Sequence, residues 1–149
     1  MCLFSKIFNN SNKKLNYYKP IGTTDSEYAF CWILDSLRRH FKQKPSSKAL
    51  ISLINELLNK LNELGVCNVL LSDSTRLYAF CSTALSFITR KAPFGKATLI
   101  DKDWQVDFQK ETFSKDVVTV IATRPLTTNE QWDVISPGKL KIFKEGLSS

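Results

Sequence analysis

The segment Leu57–Cys81, LLNKLNELGVCNVLLSDSTRLYAFC, changes its hydrophobic period at Gly65. Ahead of the glycine, Leu57, Leu58, Leu61 and Leu64 recur at helical spacing. Behind it, Val66 to Leu71 is a short apolar run, Ser72-Asp73-Ser74-Thr75 reads as a turn, and Arg76 to Cys81 returns as a second strand. A helix therefore gives way to a hairpin at this point, and the two sides of Gly65 predict different kinds of structure.

Upstream, the helical stripe extends through Leu50, Ile51 and Ile54 to a start at Ser46 or Ser47, with Gly65 expected as the C′ glycine. A second helix precedes it. Thr24-Asp25-Ser26-Glu27 has the form of a capping box, in which a hydroxyl caps the first turn and a Glu three residues on reaches back. Ala29, Phe30, Ile33, Leu34, Leu37 and Phe41 then recur at helical spacing. Arg38, Arg39 and Lys42 lie where the dipole favours cations, and Lys44-Pro45 marks the end. Downstream, strands are expected at Ala84–Arg90, Ala97–Ile100 and around Trp104, Val106 and Phe108, which alternate with Gln105 and Asp107. Val117–Ala122 is the most apolar strand and is expected to be central. Pro137-Gly138 turns the chain into a last strand, Leu140 to Phe143. The order predicts an α+β fold, two helices packed on one face of a mainly antiparallel sheet.

The chain has 149 residues, 43% hydrophobic and 23% charged, which excludes collagen-like, low-complexity and wholly disordered classes. A chain of this length buries about 70% of its unfolded surface, so its core needs neither disulfide nor metal. No apolar run approaches a membrane span, and Met1–Phe8 lacks the features of a signal peptide, so a cytoplasmic location is expected. Cys2, Cys31, Cys67 and Cys81 show no CxxC spacing, and the one histidine, His40, stands apart from them. No metal site and no cofactor are expected. Cys31, Cys67 and Cys81 read as small buried hydrophobes, and His40 as a surface residue near a helix C-terminus. The net charge is +7, and residues 1–48 hold nine Lys or Arg against three acids. The lysines are scattered (Lys6, Lys13, Lys14, Lys19) and no nucleic-acid signature accompanies them, so a solvated basic segment is the reading preferred over nucleic-acid binding.

Gly22-Thr23-Thr24-Asp25-Ser26-Glu27 with Ala29-Phe30 resembles the Thr-Asp-Ser-Glu segment of class II glutamine amidotransferases, which are N-terminal-nucleophile hydrolases. The resemblance continues in Gly65–Asp73, in Thr89–Gly95, in Val117–Ala122 with Pro125-Leu126-Thr127, in Trp132, and in Pro137–Leu140. It covers about residues 17–146 and points to the small stand-alone bacterial members. The resemblance implies the back portion of an αββα sandwich at 17–149, behind a poorly matching basic start at 1–16. In the family, an N-terminal Cys attacks the side-chain amide of glutamine with its own α-amino group as base. An Asn side chain and a Gly amide form the oxyanion hole, an Arg grips the substrate carboxylate, and the Asp of Thr-Asp-Ser-Glu holds the α-ammonium.

Carried over residue by residue, the resemblance implies Asp25 as the substrate-binding acid and Cys2, next after Met1, as the nucleophile. Leu3 to Lys14 departs from the family's first strand. No Gly precedes Gly22, no Asn-Gly pair occurs, and no Arg precedes Arg38. The expectation is therefore a truncated amidotransferase-like protein, inactive alone, whose partners are a complementary front-half polypeptide or a second copy. Two alternatives stand beside it. One is a shortened glutaminase acting on glutamine through Cys2, with Asn9, Asn10 or Asn12 as oxyanion donor. The other is a non-catalytic interaction module.

Overall fold

The computed structural model describes residues 15–101, 105–107 and 113–149. The chain is α+β, and it divides at Gly65 into two compact units, 1–65 and 66–149. The division falls where the hydrophobic period changes.

The first unit holds helices α1 (Asp25–His40) and α2 (Ser47–Asn62). Thr24 caps α1, its hydroxyl accepting the Glu27 amide at 3.3 Å, and Ser46 caps α2 by accepting the Ala49 amide at 3.2 Å. Both caps stand where the sequence places them. Helix α1 stops at His40, short of Lys44-Pro45. Its buried residues are Cys31, Trp32, Ile33 and Asp35, whereas Phe30 is 47% exposed. The buried face is thus rotated from the expected stripe and includes a charged side chain. Helix α2 buries Ile54, Leu57, Leu58 and Leu61 as its periodicity requires. Gly65 does not adopt a left-handed conformation. The amides of Glu63 and Leu64 fold back onto the carbonyls of Asn59 and Leu61, which ends α2 without one.

Among the described residues the regular elements of the second unit are all β strands. Strands β1 (Val69–Ser72), β2 (Leu77–Cys81), β8 (Lys139–Lys144) and β9 (Leu147–Ser148) form one antiparallel sheet in the order β1-β2-β8-β9. Strands β6 (Val117–Ala122), β3 (Leu85–Lys91) and β7 (Asp133–Ile135) form a second, in the order β6-β3-β7. Strands β4 (Lys96–Thr98) and β5 (Gln105–Asp107) pair separately. The β1–β2 hairpin has the predicted turn, with Val69 opposite Phe80 and Ser72 opposite Leu77. Strand β6 is not central. Among the described residues it pairs only with β3, and Val118 is 43% exposed. The interior strands are β2 and β8 in the first sheet and β3 in the second; β2 pairs with β1 and β8, and β3 with β6 and β7. Strands β7 and β9 are too short to carry a period and were not expected from the sequence.

Between these two sheets lies a core of Ala79, Cys81, Leu85, Phe87, Ile135 and Phe143. Phe87 and Phe143 meet edge to face with centroids 5.1 Å apart. Gly138, at φ 75°, makes the predicted turn into β8 and donates its amide to the Cys81 carbonyl at 2.8 Å. Trp104 and Phe108 lie outside the described residues.

Candidate functional site: the N-terminal turn of the first helix

The first turn of α1 carries two acids with different roles. Glu27 is bound on both oxygens. Its Oε1 accepts the Ile21 amide at 2.7 Å and its Oε2 the Gly22 amide at 2.8 Å. In an ordinary capping box the glutamate returns to the N-cap amide. Here it passes over Thr24 and holds the backbone two and three residues further back. Asp25, the first residue of the helix, is left differently. Its Oδ1 is shielded from solvent and, among the described residues, meets no hydrogen-bond donor. A sheltered carboxylate oxygen without a donor costs free energy, which the positive end of the helix dipole only partly offsets. A cationic donor arriving from outside would satisfy it.

A third acid on α1, Asp35, is wholly inaccessible. Its Oδ1 accepts the amides of Asn16 at 2.9 Å and Tyr17 at 2.7 Å, and Arg39 Nε stands 3.0 Å from its Oδ2. Arg38 lies with its guanidinium 4.8 Å from the centre of the Tyr17 ring. Of the first two arginines of the chain, Arg38 thus reaches the segment ahead of α1 and Arg39 pairs with Asp35, which binds that segment. Asp35 was missed in the sequence because an acid in a helix ordinarily faces water. The available signal was its position one turn after Cys31, on the face that is buried.

The structure places Asp25 at the helix start, beside the Glu27–Gly22 contact. Cys2, and with it Asn9, Asn10 and Asn12, lies outside the described residues. Cys31 is buried; burial, and secondarily the charge of Glu27, pushes its thiol up from the usual value, so it remains protonated. Cys81 is buried and Cys67 is half-buried rather than fully so, with burial again raising the Cys67 thiol. His40 is exposed, as expected, and lines a groove of about 440 Å³ between α1 and α2 with Trp32, Arg39, Glu56 and Lys60. The groove's charges are internally matched: Lys60 binds Glu56 and Arg39 meets Asp35. Among the described residues no group of three or more His, Cys, Asp or Glu side chains could hold a metal, and no helix is long and apolar enough to cross a membrane.

The family model of class II glutamine amidotransferases matches residues 5–149. A relative from Escherichia coli, named "Putative glutamine amidotransferase YafJ", is 49% identical over 127 residues, which are 85% of this chain and 50% of that protein. A relative of the same description from Haemophilus influenzae is 40% identical over 131 residues, 88% of this chain and 45% of its own length. A crystal structure from Pseudomonas aeruginosa, titled as a "predicted glutamine amidotransferase", superimposes with a TM-score of 0.80 at 42% identity, covering 93% of this chain and 55% of that one. The chain thus spans about half the length of the curated relatives it matches. With this agreement of family model, relatives and fold, the chain belongs to the class II glutamine amidotransferase family.

Proposed function

We propose that this chain supplies the substrate-ammonium site of an N-terminal-nucleophile glutamine amidotransferase, with Asp25 as the anchoring acid. The observation that carries the reading is the sheltered, donor-free Oδ1 of Asp25 at the first position of α1. An α-ammonium brings a positive charge and three N–H donors, which match an ionised carboxylate at such a position. Glu27 is saturated by backbone amides and does not compete for the same group.

The reaction this site would serve is hydrolysis of the glutamine side-chain amide. A thiolate adds to the amide carbon, the C–N bond breaks with a proton delivered to the leaving nitrogen, and water then cleaves the thioester to glutamate. Ammonia is the other product. In the alternative reading, a shortened glutaminase, Cys2 is that nucleophile, with its own α-amino group as base once Met1 is removed. The chain holds no Asn-Gly pair and no Arg ahead of Arg38. By itself it therefore lacks the family's oxyanion donors and carboxylate grip, and loss of one such donor alone costs about 10²–10³ in rate. The reading is that the chain binds the amino end of glutamine and does not turn it over alone.

Isothermal titration with L-glutamine against the wild type and Asp25→Asn tests the site. Binding by the wild type that the variant loses is the expected result; equal binding by both removes Asp25 from the role. Ammonia release from glutamine, abolished by Cys2→Ala in protein whose mass shows Met1 removed, would instead show a working glutaminase.

A further inference from the structure

The backbone leading into α1 is tied to that helix at both ends by the helix's own acids. Asp35 takes the amides of Asn16 and Tyr17, and Glu27 takes those of Ile21 and Gly22. The second tie is the tighter fit. A Cβ added at Gly22 would stand 2.7 Å from Glu27 Oε2, so a side chain there would push the carboxylate off its amides. The loop is not held by apolar packing. Ile21 is fully exposed and residues 22–24 are exposed, so these hydrogen bonds are what defines its path.

Helix stability alone does not require this arrangement. Thr24 already caps α1, and either acid of the first turn serves the dipole. Glu27 instead binds the loop that ends at Asp25. Of the three acids on α1, two are committed to backbone amides; among the described residues Asp25 Oδ1 and Asp35 Oδ2 lack a hydrogen-bond donor, and of these Asp35 Oδ2 has a cation beside it, Arg39 Nε at 3.0 Å.

We propose that Glu27, through its contact with Gly22, is a positioning residue that fixes the loop 21–24 so that Asp25 meets an α-ammonium, and that it thereby makes the site select α-amino acids over their deamino analogues. This rests on the reading of Asp25 given above. Glu27 touches no substrate atom; it acts by denying the loop and Asp25 the freedom to relax toward each other or toward water. A carboxylate held in place before the ligand arrives loses less entropy on binding.

The test uses the full chain and two probes, L-glutamine and glutaramic acid, which keeps the amide and the carboxylate but has no α-ammonium. The readouts are the affinity ratio of the two probes, from ligand-dependent thermal shifts, and amide exchange at Ile21 and Gly22. The wild type is expected to prefer glutamine, and Asp25→Asn to lose the preference. Glu27→Gln and Gly22→Ala are each expected to speed exchange at those two amides and to reduce the preference roughly ten- to a hundredfold, the range seen when a ligand's supporting partner is removed. Gly22→Ala leaves every charge in place, so it carries the test should Glu27→Gln lose the fold. If both variants open the loop yet keep the full preference while Asp25→Asn loses it, this inference fails and Asp25 stands. If the wild type does not distinguish the probes, or responds to neither, the reading of Asp25 fails and this inference with it.

Discussion

Arg90 on β3 and Glu130, forty positions later in the chain, meet in a two-point ion pair, with Arg90 Nε donating to Glu130 Oε1 at 2.7 Å and Nη2 to Oε2. Both side chains are mostly buried, at 15% and 18% exposure. Thr127 Oγ1 donates to Glu130 Oε2 at 2.7 Å, and Trp132 Nε1 donates to Thr127 Oγ1 at 2.9 Å. Asn129, next to Glu130, accepts the Thr98 amide and donates to the Lys96 carbonyl. One loop is thus fastened to β3 and to β4 by polar contacts, and a fork-shaped guanidinium is the group that can hold a carboxylate at both oxygens.

This pair should make stability depend on pH. Arg90's hydrogen bonds hold the Glu130 carboxyl below its ordinary range; burial opposes, while Thr127's hydroxyl and Arg90's charge reinforce them. A carboxyl lowered in the folded state contributes stability that is complete above its unfolded value, about 4.3, and is lost as pH falls through the folded value. Thermal midpoints of the wild type should therefore fall on acidification below about pH 4.3, and Glu130→Gln should flatten that part of the profile while lowering the midpoint at pH 7. Glu130→Ala, which removes the two-point contact to Arg90, should cost roughly 3 kcal/mol at neutral pH. An unchanged acid limb in Glu130→Gln would show that the pair contributes nothing to it.

Asp35 and Arg39 should prove unequal partners. Arg39 is 38% exposed and its charge is screened, whereas Asp35 is inaccessible and satisfies two backbone amides. Arg39→Ala is expected to cost under about 1 kcal/mol. Asp35→Ala leaves the amides of Asn16 and Tyr17 without an acceptor and is expected to cost roughly 3 kcal/mol. Urea titrations of both variants decide it, and equal costs would mean that the ion pair, not the amide binding, is what stabilises this region.

What was legible in the sequence is what local chemistry determines. Thr24 and Ser46 cap their helices, the Ser72–Thr75 turn makes its hairpin, and Gly138 turns the chain into β8, each through atoms a few positions apart. What was not legible depends on partners far along the chain. Among the described strands β6 pairs with β3 alone, and an apolar composition cannot distinguish a central strand from an outer strand whose face is covered. The spacing places Phe30 in the core, but α1 buries Cys31, Trp32, Ile33 and Asp35 instead, and Asp35 holds the amides of residues 16 and 17. At the candidate site, Asp25 is singled out by its motif. Glu27's longer reach to Ile21 and Gly22 could be anticipated only as a capping box.

Asn68 ties the start of β1 to the bend between β2 and β3. Its Oδ1 accepts the amides of Ser82 at 2.9 Å and Thr83 at 3.2 Å, and its Nδ2 donates to Thr83 Oγ1 and to the Ala84 carbonyl. Asn68→Ala removes all four contacts and should cost about 1–2 kcal/mol. Asn68→Asp keeps the acceptor and loses only the donor, so it should cost clearly less. Equal destabilisation of the two variants in urea titrations would assign the effect to the Nδ2 contacts instead.

Gly138 and Gly146 share a backbone conformation, both at φ 75°, but not the same surroundings. A Cβ at Gly138 meets nothing within 4 Å, whereas at Gly146 it would stand 2.6 Å from the Val117 carbonyl oxygen and 3.1 Å from Val117 Cγ1. Gly146 also accepts the Thr119 hydroxyl on its carbonyl at 2.7 Å, and Thr119 is in turn within 2.7 Å of the Thr89 hydroxyl. The turn between β8 and β9 is therefore pressed onto β6. Gly138→Ala should cost only the left-handed penalty, about 1–2 kcal/mol. Gly146→Ala adds a clash with backbone, which cannot swing aside, and should cost roughly 3 kcal/mol or more. Thermal unfolding of the two variants side by side measures the difference, which is the contribution of the close contact with Val117. Near-equal midpoints would mean that the β8–β9 turn moves off β6 without cost, and amide exchange at Thr119 would then rise in Gly146→Ala alone.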